Sequence, residues 1–353
     1  MKRITVKIGS NVLAREDGTL DVTRMSAIVD QVVALNRRGL EVVVISSGAV
    51  ASGRSELKIS AGTLDSVAER QLFSAVGQAK LMNRYFDFFR SNDSACGQVL
   101  TTKDEFTSRT HYRNLKRCMD VMLANGVVPV VNENDTISIS ELMFTDNDEL
   151  SGLISEMMES DMLIILSNVE GIFTSNPDEP ESRLIREIAP GNDDFSVCIT
   201  HGKSRFGRGG MMTKCNIARR IANDGIPVII ACGKKENILL RLIDDPAGTP
   251  CTRFLPAEKP ARQNPNYPKR QIVVDDGALA DIHAGTPRDL TSKDVLRYSG
   301  EFFRDEIVRI LNGAGEIVGC GKSACSSVEL ASLIENPDSA PQAVIRYDYL
   351  FLD

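Results

Sequence analysis

The chain has 353 residues, 42% of them hydrophobic, and carries 41 Lys and Arg against 48 Asp and Glu for a formal net charge of -7. A chain of that length supports a large buried core in about two domains, and its acidic balance argues against a general polyanion-binding surface, because phosphate backbones are attracted by clustered Lys and Arg. The eight cysteines stand apart in apolar stretches without zinc spacing and read as reduced thiols of a cytoplasmic protein.

Met1, Lys2 and Arg3 lead straight into Ile4–Ile8, and no apolar stretch approaches the ~18 residues of a membrane span, so no targeting or anchoring segment is expected. Ile4–Ile8 alternates as a strand. Lys7 lies inside it and is followed by Gly9, Ser10 and Asn11, so its ammonium can point toward a loop with free backbone N–H groups, a place that suits a phosphate. Taken alone, a lysine on a half-exposed strand face is the plainer reading.

An amphipathic helix at Thr23–Arg38 and a strand at Glu41–Ile45 follow, ending in Ser46, Ser47, Gly48 and Ala49. Gly48 lets the backbone approach a ligand, and the helix start beyond it suits a substrate carboxylate. A simple helix cap by Ser46 or Ser47 explains the same residues. A long helix is expected at Ser66–Arg90, then a strand at Gly97–Leu100, a helix at Thr110–Asn125 and a strand at Val127–Val131.

After that strand come Asn132, Glu133, Asn134 and Asp135, and Asp146, Asn147 and Asp148 open a helix predicted over Asn147–Glu159. Asp and Asn favour turns and caps, so either cluster alone could be structural; seven amide and carboxylate groups gathered at strand ends exceed what turns require. A calcium loop is excluded, because Ser151 replaces the required glycine and Met157 the bidentate glutamate.

A strand at Met162–Leu166 precedes Gly207, Arg208, Gly209, Gly210, Met211, Met212, Thr213 and Lys214, a glycine-rich loop running into a helix at Thr213–Asn223, and a further strand lies at Pro227–Ala231. Such loops can hold nucleotide phosphates, although glycine loops are common. The alternation predicts an α/β domain with a mainly parallel sheet sandwiched by helices, and ligands at the strands' C-terminal ends.

Pro256, Pro260, Pro265 and Pro268 mark residues 256–269 as a linker between a domain at 1–255 and a small, mostly β domain at 270–353. In the latter, Gln271–Val274, Glu306–Leu311 and Ile317–Cys320 read as strands and Gly277–His283 as a helix. Gly321, Lys322 and Ser323 mimic the tail of a Walker A motif, but Glu316 stands where its first glycine belongs, and the match is taken as chance. His111, His201 and His283 fall in no metal or nucleophile-base spacing.

Lys7–Leu13, Ser46–Gly53, Val76–Lys80, Pro129–Asp135, Asp146–Asp148 and Gly209–Lys214 occur in the order seen in the amino acid kinase family, and Arg270–Ala278, Ser299–Val308 and Gly319–Lys322 resemble a PUA domain. The match covers nearly the whole chain. It is similar to the members of that family that move the γ-phosphate of ATP onto the side-chain carboxylate of L-glutamate, the first step of proline biosynthesis. Acetylglutamate, aspartate and nucleotide monophosphate kinases share the fold and both lysines, but the pairing of Asn132–Asp135 with Asp146–Asp148 favours free glutamate.

The resemblance implies that Lys7 and Lys214 contact the nucleotide phosphates and the transferring group while Asp148 holds the two lysines. It also implies that Ser47, Asp135 and Asn147 bind glutamate, with Asn132 and Asn134 nearby, and that Gly9, Ser10, Ser167, Asn168, Arg208, Gly209, Gly210, Met211, Met212 and Thr213 border the nucleotide. ATP and Mg²⁺ are the implied cofactors, with no protein metal ligands, and homo-oligomerisation through the kinase domain and inhibition by proline are implied as well. Ser167 and Asn168 replace the usual Thr and Asp, and Arg208 the usual Thr, which puts contacts to the adenosine part and the loop in question. PUA domains elsewhere bind RNA, but from Arg270 onward eight basic residues face fourteen acidic ones, net -6, which favours a structural or regulatory role over an RNA-binding protein with a degenerate kinase half. A carboxylate acceptor, with a free pKa of ~4.3, is ionised at neutral pH and needs no histidine base.

Overall fold

The computed structural model describes residues 1–57, 64–107, 109–137, 147–175, 179–190, 210–258, 270–284, 286–304, 306–335 and 340–352. The chain forms two compact units, one of residues 1–103 and 116–262 and one of residues 104–115 and 263–353. Most of the linker expected at 256–269 lies outside the described residues.

The first unit begins with β1 (Arg3–Ile8), α1 (Ser10–Leu13), α2 (Val22–Arg37), β2 (Glu41–Ile45), α3 (Ala49–Glu56), α4 (Ser66–Ser91) and β3 (Ala95–Thr101). Past α5 (Asp104–Thr107), the chain continues through α6 (Arg109–Ala124), β4 (Val127–Glu133), α7 (Asn147–Met157), β5 (Met162–Ser167), β6 (Glu187–Ile188), α8 (Met211–Asn223), β7 (Val228–Cys232), α9 (Ile238–Asp244) and β8 (Cys251–Phe254). The eight strands form one sheet in the order β3-β4-β2-β1-β5-β7-β8-β6, parallel from β3 to β7, with β8 running antiparallel to β7. The sequence reading of a mainly parallel α/β sheet holds; α9, β6 and β8, whose short runs carry little periodicity, were not in it.

Strand parity decides which side chains meet which helices. Ile4, Val6 and Ile8 of β1 join Val42 and Val44 of β2 and Ile164 and Leu166 of β5 in a core covered by Met25 and Ile28 of α2 and Leu81 and Tyr85 of α4. Leu163 and Ile165 of β5 lie on the other face with Cys215, Ala218 and Ile221 of α8. Thr5 and Lys7 take the parity opposite to Ile4, Val6 and Ile8, so they face α7 and α8. Burial on both faces explains the near-continuous β-branched runs.

Register aligns the strand ends: Lys7 pairs with Ile45 and Ile165, and Ile45 with Val131, so Ile8, Ser46, Asn132 and Leu166 stand on one edge of the sheet. The reversal of strand order around β1 places the crevice there. Beneath it, α3 and α4 approach backbone to backbone, because a Cβ on Gly77 would collide with the Ala49 carbonyl and one on Gly53 with the Phe73 carbonyl.

The second unit contains β9 (Gln271–Val274), α10 (Asp276–His283), β10 (Leu290–Thr291), β11 (Val295–Ser299), β12 (Ile307–Leu311), β13 (Ile317–Ser323), α11 (Ser327–Glu335) and β14 (Ala343–Leu352). Its six strands run in the order β10-β14-β13-β12-β9-β11 around a core that includes Ile272, Phe302, Val308, Ile310 and Leu330. The Asp275 carboxylate caps α10 by accepting from the N–H groups of Gly277 and Ala278. The expected strand at Glu306–Leu311 begins one residue later, because the Glu306 N–H donates to the Phe303 carbonyl at 3.3 Å and its carboxylate accepts from the Phe303 N–H at 3.0 Å, a turn that precedes the strand. Strands β11 and β14, whose apolar alternation is interrupted by polar and aromatic residues, and the short helix α11 go beyond the elements expected from the sequence.

Candidate active site

Asp148 lies in the first turn of α7 and is fully buried. Its Oδ1 is 2.5 Å from the Lys7 ammonium of β1, and its Oδ2 accepts from Lys214 of α8 at 2.8 Å. Burial pushes the Asp148 carboxyl upward, but the two ammonium groups outweigh it and hold the acid at about 2. Lys7 is 4% and Lys214 9% exposed, so both side chains are buried beside Asp148 rather than lying on the surface. The half-exposed strand-lysine reading of Lys7 is set aside by this geometry: three charged groups from three elements converge in a buried place.

The first unit's second polar group is neutral. The Asn147 Nδ2 donates to the Ser46 carbonyl at 2.7 Å, to Asn132 Oδ1 at 2.9 Å and to Ser47 Oγ at 3.1 Å. Asn132 in turn donates from Nδ2 to Gln78 Oε1 of α4 at 2.9 Å. Ser46 shares a 2.8 Å hydrogen bond with the buried Tyr85 hydroxyl, whose own ionisation burial suppresses. Helix α3 is capped by Gly48 at φ +104°, without a side-chain hydrogen bond, so the cap reading of Ser46 and Ser47 fails and both serines serve the network.

Asp135 stands one step away. Arg70 of α4 reaches both Asp135 and Glu133, the latter at 2.5 Å. Asn134 does something else: its Oδ1 accepts from Thr136 Oγ1 at 2.5 Å, which is local turn chemistry. A second buried pair, Lys103 with Glu149 at 3.0 Å, fastens the residues after β3 to the first turn of α7. Sequence reasoning missed Arg70, Gln78, Lys103 and Glu149. Gln78 lies within the Val76–Lys80 segment singled out for its resemblance, which was the available signal.

The loop after β1 differs from expectation in one respect. The Gly9 N–H is not free, since it donates to the Leu166 carbonyl at 3.0 Å. A Cβ there would come within 2.9 Å of that carbonyl and 3.8 Å of Lys7 Nζ, so the glycine keeps the backbone tight against the lysine. Ser10 and Asn11 open α1, where N–H groups lack intrahelical acceptors. Ser167 is buried, and its hydroxyl donates to the exposed Asn168 at 3.3 Å.

Gly210 caps α8, and Met211, Met212 and Thr213 form its first turn ahead of Lys214. Arg208 and Gly209 lie outside the described residues, as does Asp146. Burial pushes the Cys215 thiol well up despite its neighbour Lys214, so it is no thiolate nucleophile. The seven described cysteines are all free thiols. Among the described residues no helix is long and apolar enough to cross a membrane.

Residues 2–232 match the amino acid kinase family and residues 270–343 the PUA domain. The chain is similar to glutamate 5-kinase of Bacteroides thetaiotaomicron, 52% identical over 99% of this chain and 98% of that one, and to glutamate 5-kinase of Chlorobaculum tepidum, 39% identical over 99% and 97%. A carbamate kinase from Giardia lamblia bound to AMP-PNP shares the fold, with a TM-score of 0.53 and 16% identity over 72% of this chain and 99% of that one. With a family match across the sheet that carries Lys7, Asp148 and Lys214, and relatives similar along its whole length, the chain belongs to the amino acid kinase family.

Proposed function

We propose that the chain transfers the γ-phosphoryl group of ATP to the side-chain carboxylate of L-glutamate, giving L-glutamyl 5-phosphate. The observation that carries this reading is Asp148, buried between the Lys7 and Lys214 ammonium groups at the ends of the strands. The acceptor carboxylate is already an anion, so the protein has no proton to remove. Its task is to bring two anions together and to offset charge on the transferring group. Lys7 and Lys214 supply that positive charge, and Asp148 fixes them so that little reorganisation is needed during transfer. Ser47, Asn132 and Asn147 receive the amino acid, and Asp135 pairs its α-ammonium, taking over from Arg70.

Mg²⁺ carried on the ATP phosphates would supply further neutralising charge. Among the described residues no three His, Cys, Asp or Glu side chains converge as a metal site. Cytoplasmic location, assembly of the kinase unit into a homo-oligomer and inhibition by proline belong to the same reading; proline titration and sizing of the active species test the last two.

The deciding assay measures ADP release with Mg-ATP across L-glutamate, N-acetylglutamate and aspartate, trapping the acyl phosphate with hydroxylamine. Glutamate should be preferred. A preference of about tenfold for either rival, roughly 1.4 kcal/mol in transition-state binding, overturns the assignment.

A further inference from the structure

Gln78 lies on α4 beside Gly77, the residue whose missing side chain lets α4 settle against α3, and it is 9% exposed. The direction of its amide is set by two groups that can play only one role. The Ser46 carbonyl only accepts, so the Asn147 atom 2.7 Å from it is the nitrogen. The Glu133 backbone N–H only donates, so the Asn132 atom 3.0 Å from it is the oxygen. Asn132 therefore turns Nδ2 toward Gln78, whose oxygen accepts at 2.9 Å. Gln78 Nε2 is left over, buried and without a hydrogen-bond partner.

An unpaired buried donor costs about 1–3 kcal/mol, a cost that an apolar side chain of similar shape would avoid. The orphan amide is one hydrogen bond from Asn132 and two from Asn147, the side chains assigned to the acceptor amino acid. We propose that Gln78 is a specificity-determining residue of that subsite: its spare N–H donates to a carboxylate oxygen of the bound amino acid, while its oxygen holds Asn132 in register. A neutral donor recognises the carboxylate without placing a second cation beside Asp135 to compete for it. This inference rests on the glutamate reading.

Gln78→Glu in the full chain keeps an acceptor for Asn132 but turns a second carboxylate oxygen toward the substrate. The glutamate KM should rise by about tenfold or more, with ATP KM unchanged. The rise should shrink as pH falls, because a buried carboxyl titrates above its ordinary range and, once protonated, regains a donor. Gln78→Met removes the donor without adding charge, so its glutamate KM should be raised at every pH. A wild-type glutamate KM in either variant that retains a cooperative thermal melt, or a loss confined to kcat, overturns the proposal. If Gln78→Glu does not fold, Gln78→Met decides; if neither folds, the role of Gln78 is structural and the proposal fails. Wild-type chain assayed in parallel separates the two readings, since absence of glutamate-dependent ADP release there defeats the functional assignment whatever the variants do.

Discussion

The two halves of the candidate site are built from opposite materials. Around Asp148 the side chains are fully charged, nearly inaccessible and drawn from β1, α7 and α8. Around Asn147 they are neutral amides and hydroxyls joined in a chain from Ser47 to Gln78. Charge fixed in a poorly solvated place is what a reaction needs where negative charge is redistributed. Amides of defined polarity are what recognition needs where an oxygen must be told from a nitrogen. Arg70, shared between Glu133 and Asp135, brings ionic chemistry to the recognition half at the one position where a substrate cation is expected.

The contrast breaks most sharply at Asp148. Asp148→Asn leaves two buried ammonium groups without their shared anion, and should lower kcat by about a thousandfold and stability by roughly 3–5 kcal/mol. Steady-state kinetics and denaturant melts measure both. The pH dependence has a definite sign: the folded acid is held at about 2, below its ordinary 3.8, so its stabilisation is complete above about 3.8 and disappears as pH falls toward 2. The stability gap between wild type and Asp148→Asn should therefore be constant at neutral pH and close only in that acid window.

Next in size are the lysines. Lys7→Met or Lys214→Met should lower kcat by roughly 10²–10³ while glutamate KM changes little, because the lost interaction belongs to charge present during transfer. An unchanged kcat in Lys7→Met would return Lys7 to the role of a structural lysine. Smaller again is Asp135→Asn, which keeps shape and removes charge. A charge-assisted contact is worth about 1.5–3 kcal/mol, so glutamate KM should rise by roughly 10- to 100-fold with ATP KM unaltered. If ATP KM moves instead, the two halves have been exchanged. The smallest effect is expected for Tyr85→Phe, which removes only the hydrogen bond to Ser46 and should cost about 1 kcal/mol of stability, read from a denaturant midpoint.

The parallel sheet was legible because strands buried on both faces must be written as β-branched runs, and Glu41–Ile45 and Met162–Ser167 match their expected starts to the residue. Lys7 was legible because a lysine inside an apolar strand breaks the local pattern, whereas Asp148 at a helix start fits ordinary first-turn chemistry and stood out only through its resemblance to the family motif. Asn134 shows the limit of the same signal. It sits in the densest amide cluster of the chain, yet its side chain serves a turn.

The order of elements, the acidic net charge and the presence of polar groups at strand ends could be read from the amino-acid sequence, since these follow from periodicity, composition and local conformational preference. Folding in three dimensions brings the Lys214 ammonium to the Asp148 carboxylate across 66 positions, and the Asn132 amide to the Gln78 oxygen across 54. It alone grouped residues 104–115 with the C-terminal unit and drove α3 against α4 through Gly53 and Gly77. The physical reason is one of range. Periodicity and capping act over a turn or a strand, whereas an amide's polarity and a carboxylate's pKa are set by neighbours that folding brings from other elements.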